Sequence, residues 1–164
     1  MFEPYPSRVS CVTASAFVAV IGTATAANAQ SGNVVFDGLI LSSCSVVPGL
    51  PGTLAATPDG ATLTSKAGTP GTAAVTATGL GYEATVDAPT GFTLAPSGAE
   101  TGTTFAVEYE ASGATLLSTI LAGVGIPLSL GTTTLTIDAE ATRTGTIFPA
   151  GAYQLVTTVR CVSP

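Results

Sequence analysis

Phe105-Ala106-Val107-Glu108-Tyr109-Glu110 decides the fold class of this 164-residue chain. Phe105, Val107 and Tyr109 fall at every second position, and the two glutamates fall among the positions between them. Successive side chains of a strand point to opposite faces, so this spacing puts three apolar groups on one face and both carboxylates on the other. The hexapeptide reads as a half-buried strand.

The same period recurs on either side of it. Leu135, Ile137 and Ala139 alternate with Thr136, Asp138 and Glu140. Tyr82, Ala84, Val86 and Ala88 share a parity, as do Val34, Phe36, Ile40, Cys44 and Val46 nearer the start. At the end, Tyr153, Leu155, Val159 and Cys161 take one face, with Gln154, Thr158 and Arg160 opposite. Between these runs lie Pro48-Gly49, Pro51-Gly52, Pro58-Asp59-Gly60, Pro70-Gly71, Pro89-Thr90-Gly91 and Pro149-Ala150-Gly151. Proline presets one turn dihedral and glycine supplies the positive one, so each pair marks a strand end. Strands with one dry and one wet face pack as stacked antiparallel sheets. The expectation is an all-β sandwich of seven to eight strands. Leu116–Leu130 is apolar without a clear period and is read as strand, a short helix being the other option. The Thr clusters Thr132-Thr133-Thr134 and Thr142, Thr144, Thr146 do not recur at a fixed spacing, which argues against a solenoid. Aromatic residues, 6% of the chain, form no girdle for a membrane barrel.

Composition narrows the function classes. Charged residues are 9% of the chain, net charge is −6, and His and Trp are absent. Clustered Lys and Arg for a nucleic-acid partner are missing. From Cys11 to Ala29 the sequence is apolar or small, centred on Phe17-Val18-Ala19-Val20-Ile21, and Ala27-Asn28-Ala29 suits signal peptidase. The run is too short and too diluted by Thr and Gly to be a membrane span of about 20 residues. We therefore expect a signal peptide at 1–29, a single β-sandwich domain at 30–164, and export to the periplasm, cell surface or medium, with no membrane segment after cleavage.

Removal of Cys11 with the signal peptide leaves Cys44 and Cys161 in a compartment where disulfides persist. Each shares the parity of inward-facing apolar residues, so a bond between them is the favoured reading. Two buried thiols, or a bond to another chain, are the alternatives. An intramolecular bond would stabilise the fold by about 4–5 kcal/mol in the chain-entropy model.

Candidate chemistry is thin. Glu108/Glu110 and Asp138/Glu140 each share a strand face, as a glycosidase or an oxygen-ligated Ca²⁺ would need, but a solvated sheet face is the favoured reading, and a glycosidase groove would also want the aromatic platforms that a chain without Trp lacks. Without His, a serine nucleophile lacks its usual base. Lys66 is the one lysine, and Ser65-Lys66-Ala67-Gly68 reads as a turn. No catalytic, cofactor or metal residues are assigned, and the chain reads as a non-enzyme.

Gly32-Asn33-Val34-Val35-Phe36-Asp37-Gly38-Leu39-Ile40, followed by Cys44-Ser45-Val46, resembles the opening of bacterial chaperone–usher fimbrial subunits. Phe148-Pro149-Ala150-Gly151-Ala152-Tyr153 through Val159 resembles their last strand, and that of the spore coat protein U domain. The likeness covers about 30 residues, at the two ends, and its short Gly- and Thr-rich strand patterns are of moderate specificity. It implies an incomplete immunoglobulin-like sandwich that receives a strand from a neighbour. The donor would lie in Gln30–Leu41, inserting Val34, Phe36 and Ile40. The acceptor edge would hold Tyr153, Leu155 and Val159. Partners would be further copies of the chain or a periplasmic chaperone that covers the groove before assembly. The alternative is a self-complete secreted sandwich of adhesive or ligand-binding character, closed by the disulfide, with Tyr82, Phe92 and Phe148 as candidate contact aromatics.

Overall fold

Alternation of apolar and polar residues generates strands throughout the computed structural model, which describes residues 31–163. They are β1 (Cys44–Pro48), β2 (Thr53–Ala56), β3 (Thr62–Thr69), β4 (Gly71–Ala77), β5 (Glu83–Asp87), β6 (Thr103–Gly113), β7 (Leu117–Leu121), β8 (Ile126–Pro127), β9 (Gly131–Arg143) and β10 (Thr158–Val162). No helix occurs among the described residues, and every pairing is antiparallel. The protein is an all-β sandwich. The signal peptide expected at 1–29 lies outside the described residues.

β9 is the spine of the larger sheet. On one side it pairs with β6 along its length, from Thr103↔Arg143 to Gly113↔Thr133. On the other it pairs with β4 over Gly131–Ile137 and with β3 over Glu140–Thr142. β7 adds to β6, β1 to β4, and β2 to β3. The smaller sheet has the order β10-β5-β8. Between the sheets lie Val75, Ala84, Val86, Val107, Tyr109, Ile126 and Leu135, all nearly inaccessible. The alternation read in β6, β9 and β5 is thus the alternation of the core, although Ala88 falls beyond the end of β5. Burying a side chain the size of Leu135 contributes about 1.5–3 kcal/mol. Leu116–Leu130 is two short strands and a loop.

Ten strands appear instead of seven or eight because two are interrupted. β3 and β4 run the same way along β9, and β1 and β2 flank them as a second broken line. Pro48 and Pro51 cannot donate to a ladder, and Pro70 does the same between β3 and β4. The broken lines stay stitched by Gly49 N to Thr72 O (2.8 Å) and Thr72 N to Leu50 O (2.9 Å). Glycine is required where they touch: a Cβ at Gly68 would lie 2.1 Å from the Thr53 carbonyl oxygen. The gap leaves the Ala139 N–H without a strand partner, and Ser65 Oγ accepts it at 3.0 Å while donating to Asp138 Oδ1 at 2.6 Å. Ser65-Lys66-Ala67-Gly68, expected as a turn, is therefore strand.

Candidate functional site

The two sheets do not meet evenly on the side where β1, β2 and β10 form their edges. β10 pairs with β5 alone, β1 with β4 alone and β2 with β3 alone among the described residues. Two strand edges therefore face each other across the sandwich with backbone groups free on the facing side. Between them runs a groove of about 860 Å³. Val46, Pro48, Leu50 and Leu54 form one wall and Tyr153, Leu155, Thr157 and Val159 the other. Ala73, Ile137 and Ala139, from the inner face of the larger sheet, make an apolar floor.

The wall at the chain's end alternates as its sequence does. Tyr153, Leu155, Thr157, Val159 and Cys161 are half-buried, and Gln154, Val156, Thr158 and Arg160 are exposed. Regular pairing with β5 begins at Thr158. Before that, Gln154 makes a single bridge to Leu94, with N–H···O bonds of 2.8 Å from Gln154 and 3.4 Å from Leu94. The continuous final strand expected from Tyr153 is thus an extended segment pinned at one point, then a short strand.

Each end of the groove is fixed. Cys44 and Cys161 are bonded, with Cα atoms 6.2 Å apart, so the walls converge there. A disulfide fits an exported protein. At the other end Tyr153 packs edge-on against Phe92 and Phe148, with ring centroids 5.2 and 5.5 Å away, and Phe92 meets Phe105 at 5.0 Å. The Tyr153 hydroxyl donates to the Pro149 carbonyl. Of the three aromatics considered as ligand contacts, Phe92 and Phe148 pack against Tyr153, and the Tyr82 hydroxyl reaches Ser42.

Upstream of β1 the pattern changes character. Val34, Phe36 and Ile40 belong to no strand and are each at least three-quarters exposed; so are Val35, Leu39 and Leu41. The period-two run from Val34 to Val46 becomes strand at Cys44, not before. Among the residues preceding β1, Ser43 is held by Thr78, through Ser43 N to Thr78 Oγ1 (2.8 Å) and Thr78 N to Ser43 O (2.9 Å).

The carboxylate pairs lie elsewhere, on the outer face of the larger sheet. Glu108 sits opposite Asp138, and Ala106 opposite Glu140. Lys66 Nζ donates to Glu108 Oε2 at 2.6 Å, a contact that raises the lysine pKa. The Ser65 hydroxyl donates its hydrogen bond to Asp138 Oδ1 and is buried, so it is not placed as a nucleophile for Lys66.

Sequence reasoning found one wall of the groove and missed the other. Val46 shares the parity of the inward-facing residues, but Leu50 and Leu54 belong to stretches broken by Pro48-Gly49 and Pro51-Gly52. The signal available was that double Pro-Gly, which marks a strand leaving its sheet. Comparison with protein-family models, with curated proteins and with solved structures finds no match.

Proposed function

We propose that this chain is an exported structural subunit that assembles by strand insertion, the apolar segment before β1 of one copy entering the groove of another. The observation that carries this reading is the pairing of an apolar groove between two unpaired strand edges with an exposed apolar segment of matching reach. Val34–Ile40 spans as many residues as Tyr153–Val159, so an extended segment would run the length of the wall. Backbone hydrogen bonds to a free edge supply affinity and alternate side chains supply specificity. Burial of Val34, Phe36 and Ile40 would add about 1.5–3 kcal/mol each, before the cost of ordering the segment.

Another copy is favoured over the chain's own groove by the direction of β1. Val46 and Pro48 line the groove, so Ser43, which continues β1 past Cys44 along Thr78, heads away from it. A segment returning to its own groove would have to reverse there. The likeness of both ends to fimbrial subunits and the coat protein U domain accords with this assignment, and a periplasmic chaperone would be the natural occupant before assembly.

One observation favours a second reading. The Cys44–Cys161 bond joins both groove walls within one chain, as suits a self-complete adhesive or ligand-binding sandwich. A single experiment separates the two. Residues 30–164 recovered from an oxidising periplasm are run unheated and non-reduced in detergent. A ladder that collapses on heating is expected for strand insertion; a single monomer band with the bond intact would leave the self-complete sandwich.

A further inference from the structure

The two walls of the groove are aligned to close on each other. From the Cys44–Cys161 bond, β1 runs out along one wall and the final segment runs in along the other, in opposite senses. Val46 and Val159 lie two residues from the bond, Pro48 and Thr157 four, and Leu50 and Leu155 six, and all of them line the groove. At the bond the Cα atoms stand 6.2 Å apart, near the spacing of about 4.5–5.5 Å between facing residues of an antiparallel pair. Two edges in this register have the alignment for a ladder, yet a groove separates them.

The direction of the backbone groups explains the separation. Alternate residues of a strand turn their N–H and C=O groups to opposite edges. Ser43 and Gly49 bond toward β4, through Thr78 N to Ser43 O (2.9 Å) and Gly49 N to Thr72 O (2.8 Å), so Val46 and Pro48, of the other parity, face the groove. On the opposite wall Gln154 bonds toward Leu94, and Val86, the partner of Val159, turns its carbonyl to the Gly123 N–H at 2.8 Å. Leu155, Thr157 and Val159 therefore present their N–H and C=O groups to the groove. The first wall cannot answer them. Pro48 has no N–H. Leu50 donates its N–H to Thr72 Oγ1 (2.8 Å), and its carbonyl accepts the Thr72 N–H (2.9 Å). On closure Val46 and Val159 could exchange both bonds, Pro48 and Thr157 one, and Leu50 and Leu155 none.

We propose that Pro48 and Thr72 hold the groove open, by withholding the donors with which the first wall would otherwise pair with Leu155, Thr157 and Val159. Proline on an edge strand commonly guards against pairing with other chains. Here it guards against pairing within the chain, and an edge that its own molecule cannot satisfy stays available. What fills it rests on the strand-insertion reading. An entering strand, unlike the first wall, can complete the ladder along Leu155, Thr157 and Val159, so insertion outcompetes closure. The openness itself does not depend on that reading.

Two readouts test the pair of ideas separately. Amide exchange of Leu155, Thr157 and Val159, followed by NMR on the monomer recovered from an oxidising periplasm, reads openness; the unheated detergent ladder reads insertion. In the parent these three amides should exchange far faster than those of the β6–β9 ladder. Pro48→Val/Thr72→Val returns both donors to the first wall. It should slow the three amides about tenfold, as two added hydrogen bonds of ordinary net worth would, and it should weaken the ladder. Pro48→Ala, which restores one donor with a smaller side chain, should give part of the slowing. Thr72→Ser keeps the hydroxyl and should match the parent. Parent amides as protected as those of β6–β9 would overturn the proposal, and so would a double variant that exchanges at the parent's rate. Slowed amides beside an undiminished ladder would overturn the competition between closure and insertion. A parent with no ladder but with the exchange contrast intact would bring down the strand-insertion reading and leave Pro48 and Thr72 in this role.

Discussion

The β6–β9 side of the sandwich and the β1–β10 side use the same apolar and Thr-rich vocabulary to opposite ends. β6 and β9 pair without interruption over eleven residues of β6, from Thr103 to Gly113, and their inner side chains are sealed against β5. On the other side the lines are cut by Pro48, Pro51 and Pro70, the pairing shifts register between β2 and β3, and the two sheets stand apart over a groove. One side is held by ladder and core. The other depends on a covalent bond, an aromatic cluster and a buried hydroxyl. Cohesion and reach are allotted to different halves of one small fold.

Removing the bond should have the largest effect. Cys44→Ser with Cys161→Ser should cost about 4 kcal/mol by chain entropy, read from denaturant midpoints. Hydrogen exchange should show β1 and β10 losing protection while the β6–β9 ladder keeps it. A loss below about 1 kcal/mol would mean that the open side holds itself, breaking the contrast.

On the closed side, Leu135→Ala should cost about 2–5 kcal/mol, because Leu135 is fully buried and its neighbours cannot all collapse into the space. Thermal denaturation should fall by roughly 10 °C. Leu155→Ala, on the groove wall, should cost clearly less, since Leu155 is only half-buried. Equal costs would show that the groove is core in disguise.

Ser65→Ala addresses the joint between the halves. It leaves the Ala139 N–H without its acceptor at the strand break, at a cost of about 1–3 kcal/mol. A neutral result would show that water or a local shift satisfies that N–H.

Titration should give the smallest effects, of opposite sign at the two ends of the pH scale. Glu108 raises the pKa of Lys66, so the stabilisation from this pair is complete below the ordinary lysine range and is lost as pH rises through the raised value. Asp59 is held below the usual carboxylate range by the Thr57 hydroxyl and then by the Ala61 N–H. Its contribution is present above that range and disappears as pH falls through the lowered value. Glu108→Gln should return the Lys66 titration, followed by NMR, toward the ordinary lysine range; no movement would remove the glutamate as the cause.

The contrast also explains what the sequence made legible. β5, β6 and β9 could be read because each lies between partners with one face on the core, so alternation and burial coincide. The disulfide could be read because Cys44 and Cys161 each continue such an alternation. The segment from Val34 to Ile40 behaves differently. Its period is as clean as any in the chain, but a period states which residues share a face and not what covers that face. Lys66 lies in β3 although the neighbouring Gly68 resembles turn punctuation, because here glycine lets Thr53 approach. The second groove wall was hidden for a related reason: Pro-Gly pairs read as ends, although β1 and β2 continue one line.

The clasp between Cys44 and Cys161 has a mechanical consequence for copies strung together as proposed. Tension on such a string would enter a subunit through the segment ahead of Cys44 and leave through the wall that ends at Cys161. The shortest path between those points is the sulfur–sulfur bond itself. Force would then cross each subunit along a covalent line, and the hydrogen-bonded sheets would hang beside the load and not carry it.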